Sequence, residues 1–166
     1  ALLMVAKSLS NLGRRKTTEF GLWLNALAYK PNRPEAYVFL SEYAERNGNY
    51  VQSYAYAVSG LQYVNSISRL HSDNVGYEGK YQLEFQKAVA AWHIGRGKES
   101  RDLFFDLVAK ADELSEKYQK LVQTNVTSLG SGPDPFLRYH KGLHSQLRYK
   151  FPGSETIVKN YSQTYQ

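Results

Sequence analysis

Two short helical patterns joined by a glycine turn, between Pro34 and Leu61, constrain the fold of this chain more than any other feature. Small or apolar residues recur at steps of three and four on both sides of Gly48, which predicts two amphipathic helices. Glycine suits the end of the first helix and Pro34 its start, where the N–H has no partner inside the helix. Such a pair cannot bury its apolar faces alone, so it needs neighbouring helices. The patterned residues are Tyr37, Leu40, Ala44, Ser53, Ala57, Gly60 and Leu61.

Weaker copies of this pattern lie on either side of the central pair. In the preceding copy the turn falls at Gly13 and Pro31 ends the unit, because proline opposes continuation of a helix. Its patterned residues are Leu3, Ala6, Ser10, Glu19, Trp23, Ala26 and Leu27. In the following copy the turn falls at Gly95. Its patterned residues are Ala88, Ala91, Ser100, Phe104, Leu107 and Val108.

The central pair resembles a tetratricopeptide repeat, a helix–turn–helix unit of about 34 residues. Tyr37 takes the large aromatic position of the first helix, and Leu40-Ser41 takes the place of its Leu-Gly pair. Ser41 and Gly60 depart from the commonest residues, but both are small, as close helix packing requires. The resemblance implies an all-α fold, a right-handed superhelix of antiparallel helix pairs. We expect about three repeats and extra C-terminal helices.

The spacing of the turn glycines predicts an insertion in the array. Gly95 follows Gly48 by 47 residues, well beyond one period of the repeat. The surplus falls in a loop at about 65–79, with one short helical turn at Ile67–Leu70. Repeats then occupy 1–129, ending in a helix from about Asp112 that carries an apolar stripe. A linker and a last helix occupy 130–151, and an extended tail occupies 152–166.

The residues with catalytic or metal-binding chemistry form no recognisable motif. The chain has no cysteine, which excludes disulfides and thiolate chemistry and is compatible with a reducing compartment. His140 and His144 are four residues apart on a predicted helix, but no third metal ligand accompanies them. We therefore expect no enzyme activity, no metal and no cofactor. Since no stretch approaches the roughly 20 apolar residues of a membrane span, we expect a cytoplasmic protein with no membrane partner.

In tetratricopeptide proteins the first helix of each pair lines a concave groove, so the resemblance implies a partner-binding groove here. Met4, Val38 and Phe85 occupy positions where the family's clamp for a peptide carboxylate has Lys or Asn, which argues against that clamp. An equal alternative is that Phe85 and Trp92 pack under the next helix. The predicted groove residues are Asn11, Glu35, Glu42, Glu45, Arg46, Phe85, Trp92 and His93.

Two further resemblances concern context. Residues 31–128 resemble repeat modules attached to bacterial and viral glycosyltransferases, through Arg33-Pro-Glu-Ala-Tyr and Gly48-Asn-Tyr. The tail from Phe151 resembles the lead-in to a methyltransferase family that uses S-adenosylmethionine, but that family's glycine-rich cofactor loop does not occur here.

These resemblances predict a non-catalytic interaction or scaffold module of a larger glycan-modifying protein. Its partner would be a protein or a neighbouring catalytic domain. One alternative is a carbohydrate-binding module that uses the groove aromatics. The other is nucleic-acid binding driven by the net charge of +6, which the scattered basic residues do not favour.

Overall fold

The computed structural model describes residues 2–12, 16–65 and 76–130. All regular secondary structure in these ranges is helical, which confirms the all-α class. None of the helices described is both long and apolar enough to cross a bilayer. The helices are α1 (Leu2–Leu12), α2 (Lys16–Tyr29), α3 (Pro34–Arg46), α4 (Tyr50–Leu61), α5 (Lys80–His93), α6 (Gly97–Ala109) and α7 (Glu116–Gly130).

The chain separates into two compact units, one up to Ser100 and the other from Arg101, with the boundary inside α6. In the first unit each helix from α1 to α4 packs against the next, and α3 also packs against α5. Trp23 of α2 stacks on Phe39 of α3 with ring centroids 4.2 Å apart. The predicted small positions are buried: Ser41, Ser53 and Ala57 are 0% exposed.

The turns between α3 and α4 and between α5 and α6 are built in the same way. Gly48 has φ of +73° and Gly95 of +82°, a left-handed conformation that glycine adopts without strain. The N–H after each glycine donates to the carbonyl oxygen five residues earlier, at 2.9 Å in the first turn and 2.8 Å in the second. Each glycine N–H donates to the carbonyl oxygen three residues earlier, which completes a Schellman motif. The two turns, 47 residues apart, therefore have one hydrogen-bonding pattern.

Caps and links around α3 and α4 explain where these helices begin. Pro34 is the first residue of α3. The side chain of Asn49 accepts a hydrogen bond from the N–H of Gln52 at 3.1 Å, which caps α4. Tyr37 donates its hydroxyl to the carbonyl oxygen of Pro31 at 2.9 Å, which ties α3 to the link that precedes it. The predicted boundaries at Pro34 and Gly48 are thus confirmed.

The end of the predicted insertion is part of the packed structure. Tyr77 is only 8% exposed and belongs to a core cluster with Tyr37, Val38 and Leu83. The side chain of Gln82 accepts from the N–H of Glu78 at 2.8 Å, which holds this segment to α5. Residues 66–75, where the sequence predicts a short helical turn, lie outside the described residues.

The second unit contains the rest of α6, a single 3₁₀ turn at Ala111–Glu113, and α7. Because this turn comes first, α7 begins at Glu116 rather than at the predicted Asp112. The amide of Gln119 donates to the carbonyl oxygens of Ala111 and Leu114, at 3.0 and 3.1 Å, and fastens the turn to the helix. Tyr118, Val122 and Val126 of α7 are buried, and all three belong to the predicted stripe. The linker, last helix and tail predicted for 131–166 lie outside the described residues.

Candidate partner-binding face

The residues predicted to line a groove differ in their exposure to solvent. Asn11, Arg46 and His93 are exposed. Glu42, Glu45 and Trp92 are half-buried, whereas Glu35 and Phe85 are each 4% exposed. The surface of α3 and α5 that solvent can reach therefore contains fewer residues than the predicted groove.

Glu35 has a structural role in the first unit. Its carboxylate accepts from the guanidinium of Arg33 at 2.6 Å and from the same side chain's Nε at 3.1 and 3.2 Å. Burial, together with the nearby carboxylates of Glu35 and Glu84, raises the pKa of Tyr77 to about 12. A buried carboxylate with this many donors is occupied within the chain, so Glu35 does not present its charge to solvent.

The two aromatic residues predicted for the groove are placed differently. Phe85 is buried, as in the alternative that it packs in the core. Trp92 is half-buried, and its ring lies 3.7 Å from where a Cβ on Gly97 would be, against the first residue of α6. A sugar-stacking platform built from both rings is therefore not supported, because Phe85 has no exposed face.

Glu45 links the two first helices of the central and following pairs. The pKa of its carboxyl is raised, chiefly by burial and to a smaller extent by the neighbouring charge of Glu42. A hydrogen bond from the Gln86 side chain and the charge of Arg46 lower this pKa but do not cancel the rise. Gln86 lies on α5 and is 4% exposed. Its Oε1 atom is buried and has no hydrogen-bond partner among the residues that the structure describes. The Gln86 side chain therefore donates to Glu45 and keeps one unsatisfied acceptor, its own oxygen, in this part of the described structure.

An aromatic stack joins the start of α4 to the end of α5. Tyr50 begins α4 and His93 ends α5, and their rings lie 3.8 Å apart with planes inclined by 13°. The sequence analysis predicts His93 as a groove residue and does not pair it with Tyr50. One feature of the sequence could have predicted this contact. Tyr50 follows the turn glycine Gly48 by two residues, and His93 precedes the turn glycine Gly95 by two.

A second charged cluster, missed by the sequence argument, joins α4, α5 and the start of α6. The hydroxyl of Tyr54 donates to the carboxylate of Glu99 at 2.9 Å. Lys87 Nζ lies 2.8 Å from the same oxygen, Glu99 Oε1. Arg96 donates to the Tyr54 oxygen at 3.0 Å. The Arg96 guanidinium also sits 4.8 Å over the Tyr54 ring. All four groups satisfy one another, which indicates a structural clamp rather than a binding site.

No family model matches this sequence, and no curated protein or solved structure is significantly similar to it. Within residues 2–12, 16–65 and 76–130, no group of three His, Asp or Glu side chains is placed to hold a metal ion. His140 and His144 lie outside the described residues. What the chain does must therefore be argued from its own geometry.

Proposed function

We propose that this chain is a non-catalytic interaction module, a tetratricopeptide-like array in which the first helix of each pair, α3 and α5, faces a protein partner. The observation that carries the proposal is the contact between Glu45 and Gln86, which brings polar side chains of two successive first helices together at a partly solvent-facing place. In a helical repeat array that surface is continuous from pair to pair, as an extended ligand requires.

The repeated geometry supports the array. The turns at Gly48 and Gly95 share their hydrogen bonds, and α3 packs on α5 as well as on α4. A first helix that contacts both its own partner and the next first helix is the arrangement that produces a superhelix. The right-handed superhelix and its three repeats are thus part of the proposal.

The chemistry of this face favours a partner segment that donates hydrogen bonds or carries a positive charge. The carboxylate of Glu45 is a half-buried acceptor, and the burial that raises the pKa of this carboxyl is offset when a cation approaches. By linkage, binding of a basic group lowers the pKa of Glu45. Affinity is then expected to fall as the pH drops towards the raised pKa of that carboxyl.

Site-specific photo-crosslinking in the full chain tests the proposal. A photoreactive amino acid at Arg46, on the proposed face, is expected to give one defined cross-linked partner. The same group at Val51, which is 69% exposed on α4, is the matched control and is expected to give none. Glu45→Gln keeps the shape and a hydrogen bond but removes the charge, and is expected to weaken the Arg46 cross-link. Equal labelling from both positions, or no effect of Glu45→Gln, would count against this face.

We further propose that the partner is a catalytic domain of a glycan-modifying protein, on the strength of the sequence resemblances over residues 31–128 and 151–166. The cross-linked product identifies it: mass spectrometry of the Arg46 adduct is expected to give peptides of a glycosyltransferase or sugar methyltransferase domain. A chaperone or a nucleic-acid-binding protein as the adduct would refute the glycan context and leave the interaction face in place.

A further inference from the structure

The turn between α3 and α4 contains the only asparagine of the chain that is followed by a glycine, Asn47 before Gly48. Both residues are exposed to solvent. The side-chain amide of an asparagine is open to attack by the backbone nitrogen of the next residue. Glycine hinders that attack least, because it has no Cβ and its backbone is the most mobile. The pair therefore has the chemistry of a deamidation site at a place that water reaches.

The reaction has two steps, and water is its only co-reactant. The Gly48 nitrogen loses its proton and forms a bond to Cγ of Asn47, while the bond from Cγ to Nδ2 breaks and Nδ2 takes up a proton and leaves as ammonia. Water then opens the succinimide ring. Cleavage of the bond from Cγ to the nitrogen gives aspartate, and cleavage of the bond from the Asn47 carbonyl carbon to the nitrogen gives isoaspartate. Either product adds one negative charge next to the end of α3.

The backbone of the closed turn does not allow the first step. Asn47 has ψ of 8°, so the Gly48 nitrogen is eclipsed with the backbone nitrogen of Asn47. Ring closure requires the Gly48 nitrogen to eclipse Cβ of Asn47 instead, because the five ring atoms are nearly coplanar. The chain must therefore rotate about the Cα–C bond of Asn47 before the nitrogen reaches Cγ.

Two hydrogen bonds of the closed turn hold the atoms that react. The attacking nitrogen, that of Gly48, donates its hydrogen to the carbonyl oxygen of Glu45 at 2.8 Å. The leaving nitrogen, Nδ2 of Asn47, donates to the carbonyl oxygen of Tyr43 at 2.7 Å. A hydrogen-bonded backbone N–H gives up its proton when the structure around it opens. Both the conformation and the hydrogen bonds of the turn thus oppose deamidation.

We propose that Asn47 is a deamidation site whose reaction requires the turn between α3 and α4 to open. The proposal is independent of the α3–α5 face. Because hydrolysis of the succinimide does not restore asparagine, modified chains accumulate with the total time that the turn spends open. Isoaspartate also adds a methylene group to the backbone, so the hydrogen bonds that close the turn do not form again in their original register.

The rate of deamidation tests this proposal. The full chain and a capped peptide of residues 43–52 are incubated in the same mildly alkaline buffer, and aspartate and isoaspartate at position 47 are measured by mass spectrometry with electron-transfer fragmentation. The peptide has no closed turn, so Asn47 in the folded chain is expected to react at least about tenfold more slowly. The full chain unfolded in urea is expected to react as fast as the peptide in urea. Equal rates in the folded chain and the peptide refute control by the turn, and a peptide that does not react refutes the site.

A variant of the α4 cap tests whether this turn is the one that must open. The side chain of Asn49 accepts from the N–H of Gln52, and Asn49→Ala removes that cap, so the folded variant is expected to react about fivefold faster than wild type. Asn49→Ser keeps a capping oxygen and is the matched control, expected within about twofold of wild type. The same substitutions in the peptide correct for any effect on the chemistry itself.

Equal corrected rates for Asn49→Ala and Asn49→Ser would overturn the assignment to this turn. Circular dichroism checks that both variants are folded. If Asn49→Ala is not, the comparison of the wild-type chain with and without urea decides the proposal by itself, since a rate that urea does not change refutes it.

Discussion

Ser41 and Ser53 join α3 to α4 through two buried hydroxyls. The hydroxyl of Ser41 donates to the carbonyl oxygen of Ser53 at 2.8 Å, and the two Oγ atoms lie 3.0 Å apart. Since the Ser41 proton is used on the carbonyl, Ser53 must donate to Ser41 Oγ. Both residues are 0% exposed, so water does not compete for these hydroxyls and their hydrogen bonds are formed within the chain.

Because of this order of donors, the two serines are expected to contribute different amounts to stability. Ser41→Ala leaves the buried Ser53 hydroxyl without an acceptor and is expected to lower the free energy of unfolding by about 2 kcal/mol. Ser53→Ala keeps the bond from Ser41 to the backbone and is expected to cost about half as much. Urea unfolding of both single variants and of the double variant measures the coupling. Strictly additive effects, or a costlier Ser53→Ala, would show that the two hydroxyls do not act as a pair.

Gly60 stands where three elements approach most closely. A Cβ at this position would lie 2.6 Å from Tyr37 Cβ and 2.9 Å from a methyl carbon of Leu83. Gly60→Ala is therefore expected to destabilise the protein by about 2 kcal/mol or more, as overpacking does, despite the better helix propensity of alanine.

Gly21 provides the matched control for that substitution, because it also lies inside a helix. Apart from its chain neighbours and the backbone of its own helix, no described atom lies within 4 Å of where its Cβ would be. Gly21→Ala is expected to stabilise by up to about 1 kcal/mol. Thermal unfolding of the two variants is expected to shift in opposite directions. A stabilising Gly60→Ala would mean that α3, α4 and α5 do not approach as the structure has them.

The boundaries of the central pair could be predicted from the sequence because their causes are local. A proline at Pro34 and a glycine at Gly48 restrict the backbone on their own, whatever packs around them. The buried positions of α4 were also predictable, since small residues at helical spacing mark a close crossing. The start of α7 was not, because the 3₁₀ turn at Ala111–Glu113 depends on the remote amide of Gln119.

The candidate site was less predictable, because burial of a charged residue depends on its partners. Glu35 and Glu42 are seven residues apart on α3, and the pattern assigned both to a groove. Only Glu35 has Arg33 beside it, and it is buried while Glu42 is half-exposed. The Glu99 cluster joins Tyr54 and Glu99, which are 45 residues apart in sequence. Periodicity within one helix contains no information about such contacts.

Two ion pairs of equal length are expected to differ greatly in their contribution to stability. Arg33–Glu35 and Lys120–Glu116 both have N–O distances of 2.6 Å, but the side chains of the first are 18 and 5% exposed and those of the second 72 and 80%. Arg33→Met strands a buried carboxylate and is expected to cost about 3 kcal/mol. Lys120→Met is expected to have no resolvable effect, because water solvates the remaining charge.

A compensating variant separates charge from packing at the buried pair. Arg33→Met combined with Glu35→Gln removes the stranded charge and is expected to recover much of the stability lost by Arg33→Met alone. Urea unfolding at pH 7 measures all variants. A double variant no more stable than Arg33→Met would show that the loss came from packing of the arginine stem.

The clamp at Glu99 predicts how stability depends on pH. Burial raises the pKa of this carboxyl, but hydrogen bonds from Lys87, Tyr54 and Arg96, with the charge of Lys87, outweigh it and lower the pKa below its ordinary value of 4.5. A carboxyl whose pKa is lower in the folded state stabilises the fold above its unfolded pKa. That contribution is lost as the pH falls through 4.5 and then through the lower folded value.

Glu99→Gln removes this contribution. The wild-type chain is therefore expected to be more stable than the variant at pH 7, and this difference in the free energy of unfolding is expected to disappear towards pH 3. Urea unfolding of both proteins at several pH values between 7 and 3 measures the difference. Asp102→Asn, at an exposed position on the same helix, is the control and is expected to give a difference that varies much less with pH. Tyr54→Phe removes one of the donors and is expected to move the loss of stability to higher pH. A difference between wild type and Glu99→Gln that stays constant down to pH 3 would show that Glu99 is not held by the clamp.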